Sequence, residues 1–355
     1  MLDRRLTWKL ACVVILVVSN AYVFDHYGWL DAAVAGNPVA TPVSAPADAA
    51  PKAAPTATAA ADTHVPPTVV AELTDEQPGV KPSDVPTRAN AVADLVVLLS
   101  VDGLRPDAVL PMAPTIRRLM MQGASAINTQ TISKASTLPS HASMVSGVDV
   151  DQHGLSFNAY RPERGHIQYP TIFTEAQKAG LATAVFVGKR KLRHLLNPDT
   201  VTHFEVGGVF CTKVTKLAVP YVENAESGLV FIHFSDPDSA GHRHGWMSEN
   251  YTKAVRRADR CVREVTRALK RRDKNDRTVL LVTSDHGGHD HNHGTRRRAD
   301  RHIPFVLWGG PIKQRKKIRR RIFNTDAAAT IFHALDIQPP ADIVGRPVLE
   351  AFRAP

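Results

Sequence analysis

The chain has 355 residues, 43% of them hydrophobic, enough for one large domain or two ordinary ones around a sizeable core; this excludes a low-complexity polymer. Its 44 basic against 34 acidic residues give a formal net charge of +10, which favours anionic partners such as phosphate esters, nucleic acid or acidic lipid without choosing among them. The three cysteines, Cys12, Cys211 and Cys261, show no zinc-finger or Cys-x-x-Cys spacing.

Arg4, Arg5 and Lys9 precede an apolar run from Leu10 to Phe24, and Asp25 and Asp31 follow it. That asymmetry keeps the N-terminus in the cytoplasm and sends the rest across a membrane. The run is shorter than the roughly 20 residues of a comfortable span and fits a signal peptide or a short signal anchor. Ala33-Val34-Ala35 resembles a cleavage site, whereas the long polar stretch from Asp25 to Ala32 favours an uncleaved anchor. Residues 1–35 are therefore expected to export the chain: membrane-anchored with its folded part on the periplasmic or extracytoplasmic side, or secreted if the segment is cleaved. From 36 to 92 the chain is dominated by Ala, Pro, Thr and Val without helical or strand period, which predicts a disordered tether. Residues 93–355 form the expected folded domain.

In that domain, Leu95 to Val101 is an uninterrupted apolar strand ending at Asp102, the signature of a strand covered on both faces. Pro114 opens a helix that Gly123 ends. Thr137 to Ala142 reads as a turn opening a helix. Pro170 to Lys178 reads as a helix stopped by Gly180, then Ala182 to Val187 as a strand. Leu229 to Phe234 is a strand reaching Asp236. Ser248 caps a long helix whose apolar stripe is Tyr251, Val255, Ala258, Val262, Val265 and Leu269. Thr278 to Thr283 and Ile303 to Trp308 are strands, and Asp326 to Leu335 is a helix stopped by Pro339 and Pro340. This alternation predicts a doubly wound, mostly parallel α/β sheet flanked by helices. Two basic clusters, Lys270 to Lys274 and Lys313 to Arg321, read as a solvated helix end or surface face; the second has no aromatics to stack on bases, and no specific nucleic-acid partner is expected. Cys211 and Cys261 pair if the domain is exported, or stay as two buried thiols.

The polar residues at the strand ends carry the chemistry, because open α/β sheets place functional side chains there. Asp102 after a buried strand needs a cation, a metal or backbone donors; taken alone it reads as a loop cap. Thr137 is by itself an N-cap, yet a hydroxyl at a helix N-terminus is also placed to attack phosphorus. Asp238 and His242, four apart, form a common metal pairing, and Asp285-His286 follows a strand directly. His289, His291 and His293 alternate along a loop. Taken together, these Asp and His residues suffice for two metal sites, and two metals about 4 Å apart clamp an in-line displacement at phosphorus.

These stretches, in the order Asp102-Gly103, Thr137-Leu138-Pro139-Ser140-His141, Pro237-Asp238-Ser239-Ala240-Gly241-His242, Ser284-Asp285-His286-Gly287 and His293-Gly294, resemble the alkaline phosphatase superfamily. Within it they resemble the type I phosphodiesterase/nucleotide pyrophosphatase group, from about Leu95 to Arg346. The resemblance implies that Asp238, His242 and His293 hold one zinc ion and Asp102, Asp285 and His286 the other. Thr137 is then the nucleophile, bridging to the second zinc and forming a covalent phospho-Thr. Ser140 stands where nucleotide pyrophosphatases typically carry Asn, and His141 replaces the sulfatases' Arg. Ser140 and Lys189 are the candidate substrate-binding residues, with Lys191 beside Lys189. The implied activity is zinc-dependent hydrolysis of phosphodiester or pyrophosphate bonds in a small anionic phosphoester. The alternative is a phosphomonoesterase, phosphonate hydrolase or phospho-group transferase on the same site. Because the Thr137 motif contains no Arg, diesters or pyrophosphates are expected to be preferred over the more highly charged monoesters.

Overall fold

The computed structural model describes residues 88–272 and 275–354. The apolar run at Leu10 and all but the end of the expected tether lie outside them. Nine strands form one sheet: β1 (Leu95–Val101), β2 (Ala124–Gln130), β3 (Thr183–Val187), β4 (His203–Val206), β5 (Gly228–Phe234), β6 (Thr278–Thr283), β7 (His302–Gly309), β8 (Lys316–Ile318) and β9 (Ile322–Phe323). The order is β4-β3-β5-β1-β6-β7-β2-β8, with β9 also on β2. Every pairing is parallel except those of β7, which runs against both β6 and β2. The sheet is thus mixed, with one reversed strand, and mostly parallel as expected.

The helices are α1 (Pro106–Met112), α2 (Pro114–Gln122), α3 (Thr137–Ser146), α4 (Val150–His153), α5 (Ile172–Lys178), α6 (Cys211–Asn224), α7 (Asp236–His244), α8 (Glu249–Arg271), α9 (Arg298–Arg301) and α10 (Asp326–Leu335). All side chains of β1, β5 and β6 are buried, as continuous aliphatic runs require of strands covered on both faces. On one face Val96, Leu98, Phe231 and Leu281 share a core with residues of α3, α5 and α10. The alternate side chains Leu95, Val97 and Leu99 are equally buried and point to the other face, where α6 packs on β5 and α2 on β7. The long helix α8 lies across α2, α6 and α7. Ser248 caps it by accepting from Tyr251 N at 3.2 Å, and its apolar stripe is buried throughout. In turn α8 caps α2: the buried Asp259 carboxylate accepts from Thr115 N at 3.0 Å and Ile116 N at 2.9 Å.

Several elements depart from the sequence expectation. Helix α6 contains Pro220 and several β-branched residues, which argue against a helix locally; burial of Val214, Ala218 and Val222 overrides them. Strand β2 has no aliphatic run, and β4, β8 and β9 are too short to leave a period. The basic cluster Lys313 to Arg321 takes the surface-face alternative and contains β8 on the rim of the sheet, where lysines discourage pairing with another chain. Of the other cluster, Lys270 and Arg271 do lie in the last turn of α8, where cations suit the helix dipole, and Lys274 lies outside the described residues. Cys211 and Cys261 form a disulfide, Cα–Cα 6.2 Å, joining α6 to α8. No helix among the described residues is long and apolar enough to cross a membrane.

Candidate metal centre and its surroundings

The three adjacent central strands deliver the acidic residues to one edge of the sheet. Asp102 follows β1, α7 begins directly after β5 and carries Asp238, and Ser284-Asp285-His286 follows β6. Asp102 N donates to Phe234 O (2.9 Å) and Asp238 N to Asp102 O (3.1 Å), so the ends of β1 and β5 are stitched together. Gly103 makes this approach possible. Its φ is +72°, and a Cβ there would lie 2.9 Å from the Asp238 Cα. The reversal of β7 keeps residues 284–301 at this same edge, and they contribute Asp285, His286 and His293 together. Thr137 is the first residue of α3, and Lys189 follows β3.

The structure brings all six expected Asp and His ligands and Thr137 into one cluster. His242 Nε2 lies 3.4 Å and His293 Nε2 3.7 Å from Asp238 Oδ1. His286 Nε2 lies 3.4 Å from Asp102 Oδ1, 3.3 Å from Asp285 Oδ2 and 3.9 Å from Asp238 Oδ1. Thr137 Oγ1 is 3.5 Å from His286 Nε2. Two donor sets could each hold an ion, Asp238, His242 and His293, and Asp102, Asp238 and His286; Asp238 contributes to both, and Asp285 lies beside His286 of the second.

Hydrogen bonding fixes what these atoms can do. The Nδ1 atoms of His242, His286 and His293 each face a backbone carbonyl, of His291 (3.0 Å), Gly287 (2.8 Å) and Ala135 (2.8 Å). A carbonyl only accepts, so each Nδ1 carries the donated proton and each Nε2 lone pair is turned to the cluster. There it meets Asp102 Oδ1, Asp238 Oδ1 and Asp285 Oδ2, three buried carboxylate oxygens with no hydrogen-bond partner. Acceptors converging on acceptors repel unless a cation lies between them, and buried unpaired carboxylates are costly. The residues therefore fit divalent metal ions.

Protonation follows the same charges. Burial would raise the Asp102 carboxyl, but Lys189, the hydrogen bond from His233 and His286 together hold it well below the ordinary range. Asp238 is also depressed: burial and Asp102 oppose this, while Lys189 and His242 outweigh them. Asp285 is pushed up to about 7 by burial and by Asp102. Burial lowers His286, and burial with His286 lowers His293 to about 4; both rings are thereby kept neutral, as ligands must be. His242 is raised by the adjacent Asp238 carboxylate.

Outside the ligands, His233 Nε2 holds Asp102 Oδ2 at 2.9 Å, and His141 bridges Ser100 Oγ (2.8 Å) and the Thr137 carbonyl (2.8 Å) beside Asp285. His233 was hidden within a strand and carried no sequence signal. His289 is committed to Asp300, Nδ1–Oδ1 2.6 Å, and His291 donates to the His242 carbonyl at 3.1 Å; both brace the loop that presents His293. Lys189 Nζ lies 2.6 Å from both Asp102 Oδ2 and Asp238 Oδ2 and 3.4 Å from Thr137 Oγ1. The charge on this lysine is thus inside the site. Ser140 Oγ is fully buried and without a hydrogen-bond partner. The side-chain amide beside Thr137 comes instead from Asn158, whose Oδ1 accepts from Leu138 N at 2.9 Å; only its place in the loop after α4 could have pointed to it.

Residues 96–308 match the model of the type I phosphodiesterase / nucleotide pyrophosphatase family. The chain belongs to that family, within the alkaline phosphatase superfamily. It is 24% identical over 217 residues to bis(5'-adenosyl)-triphosphatase enpp4 of Xenopus laevis, covering 56% of this chain and 48% of that one. It is 23% identical over 235 residues to human ectonucleotide pyrophosphatase/phosphodiesterase family member 7, covering 57% and 49%. The chain thus spans about half the length of these curated relatives. Human ectonucleotide pyrophosphatase / phosphodiesterase 5 shares the fold at a TM-score of 0.63 and 16% identity, over 73% of this chain and 100% of that one.

Proposed function

We propose that this member of the family is a zinc-dependent hydrolase of phosphodiester or pyrophosphate bonds with Thr137 as its nucleophile. The observation that carries the reading is the convergence of unpartnered carboxylate oxygens and imidazole lone pairs on a centre beside Thr137 Oγ1. Asp238, His242 and His293 would hold one zinc ion, and Asp102, Asp285 and His286 the other, with Thr137 beside it; mixed carboxylate and imidazole sets suit zinc. Bound there, the ions supply Lewis-acid polarisation of the phosphoryl group and lower the pKa of the Thr137 hydroxyl.

In this reading Thr137 Oγ1 loses its proton and attacks phosphorus, and the bond from phosphorus to the leaving oxygen breaks. Water then cleaves the phospho-Thr, restoring the hydroxyl and releasing the phosphorylated product. Lys189 donates towards Oγ1 and steadies negative charge as it develops there. Ser140 and Asn158 are the neutral candidates for holding the phosphoryl oxygens. His233 fixes the Asp102 carboxylate that would hold an ion, and His141 lies beside Asp285. The substrate is a small anionic phosphoester met outside the cytoplasm.

The test compares the purified protein on an aryl phosphodiester and the matched monoester, before and after chelation. Turnover of the diester that is abolished by chelation and restored by about two zinc ions per chain is expected. A clear preference for the monoester in kcat/KM would move the assignment to a phosphomonoesterase on the same site.

A further inference from the structure

We infer that Lys191 forms a subsite for a second negative charge carried by the substrate next to the scissile phosphoryl group, an inference that rests on the phosphoryl-hydrolysis reading above. The turn after β3 places four cations within five residues, Lys189, Arg190, Lys191 and Arg193. Three are committed. Lys189 bridges Asp102 and Asp238. The Arg190 guanidinium lies over the Tyr160 ring at 4.5 Å, and that of Arg193 over Phe204 at 5.4 Å. Lys191 differs: its Nζ donates to Asn158 Oδ1 at 2.9 Å, an uncharged acceptor, and it makes no ion pair among the described residues.

The position of that ammonium is set by the nucleophile's own turn. The same Asn158 oxygen accepts from Leu138 N, the residue after Thr137, so Lys191 Nζ stands two hydrogen bonds from the backbone that carries the nucleophile. An ammonium has three donors, and Asn158 uses one. Lys189, within hydrogen-bond reach of Thr137 Oγ1, faces the reacting phosphoryl group. Lys191 is set back from it and suits an anion attached a few atoms from phosphorus. A carboxylate or a second phosphate offers the required chemistry. With two divalent ions bound, the three carboxylates would be more than balanced by the ions and Lys189, leaving no net negative charge in the cluster to oppose the additional anion.

The experiment uses the zinc-loaded full chain and three p-nitrophenyl phosphate esters whose second arm is ethyl, carboxymethyl or a further phosphate. In parallel, propylphosphonate and 3-phosphonopropionate, which differ by one carboxylate, are bound calorimetrically. The carboxymethyl or phosphate arm should exceed the ethyl arm by about tenfold or more in kcat/KM, as expected of a hydrogen-bonded charge pair. 3-Phosphonopropionate should bind more tightly than propylphosphonate by a similar factor. In K191M both ratios should fall to near one, and K191R should retain them. The relative rates of the carboxymethyl and phosphate arms say which anion the subsite takes. Ratios that persist in K191M, or are near one in the wild type, overturn the subsite. Loss of all ester cleavage with the calorimetric discrimination intact and sensitive to K191M would refute the hydrolase reading while leaving the subsite standing.

Discussion

Thr137 and its ligand shell show how far single residues can be read. Asp102, Asp285 and His286 were visible as polar residues just beyond apolar runs, and only when taken together with Asp238, His242 and His293 did they become candidate ligands. Mutual orientation was not legible, since it depends on carbonyls such as that of Ala135, remote in sequence from His293. Nor was Lys189: from sequence it was one cation among several, and only its contacts with Asp102 and Asp238 single it out. Its place beside Thr137 supplies a cation that the Thr137 motif itself lacks, which weakens the ground for expecting monoesters to be poor substrates. Thr137→Ala should lower kcat by several orders of magnitude, as removal of covalent nucleophiles commonly does, with zinc content and the far-ultraviolet circular dichroism near wild type. Near-normal turnover would remove Thr137 from the mechanism. His293→Ala should reduce bound zinc measured by elemental analysis, whereas His289→Ala should leave most of it, because His289 Nδ1 is tied to Asp300 rather than aimed at the cluster.

At the scale of elements, the buried strands β1, β5 and β6 were legible because a continuous aliphatic run has no other comfortable home. Helix α6 was not, because its stability comes from contacts with α8 and β5 that outweigh Pro220. Similarly, nothing near Thr115 announces that its helix is capped by Asp259 from α8. Asp259→Ala leaves two amides at the start of α2 without that acceptor and should cost about 1–3 kcal/mol, read as a lower midpoint in urea unfolding. Helix α4 offers a pH test away from the metal ligands. His153 accepts from Leu155 N at Nδ1 and pairs with Ser143 Oγ through Nε2, and burial depresses its pKa to about 4. Its neutral form is favoured in the fold, so below the ordinary histidine range the unfolded chain takes up the proton first. Its contribution is full above about pH 6.5 and falls as the pH drops towards 4. His153→Gln should flatten the melting temperature against pH across that window; an unchanged slope would show that other groups govern it.

For the whole molecule, strand and helix alternation was enough to give the doubly wound architecture, while the reversal of β7 was not, since a strand's direction leaves no trace in its composition. The disulfide between Cys211 and Cys261, 50 residues apart, fits the expectation of an exported domain, because such bonds persist in oxidising compartments. Cys261→Ser should destabilise the fold by about 2–4 kcal/mol, seen as a lower unfolding midpoint that reductant no longer shifts. The reversed strand has a different kind of consequence. In an all-parallel sheet the chain leaving β6 would have to cross to the far edge before the next strand, giving up its place at the site. Here residues 284–301 depart from and return to the same edge, so a single uninterrupted stretch supplies Asp285, His286 and His293. That stretch is a self-contained cassette. Evolution, or an engineer, can lengthen it beyond Gly294, around the exposed Arg296 and Arg297, and so reshape the rim of the site, leaving His293 in place and without re-threading the sheet beneath it.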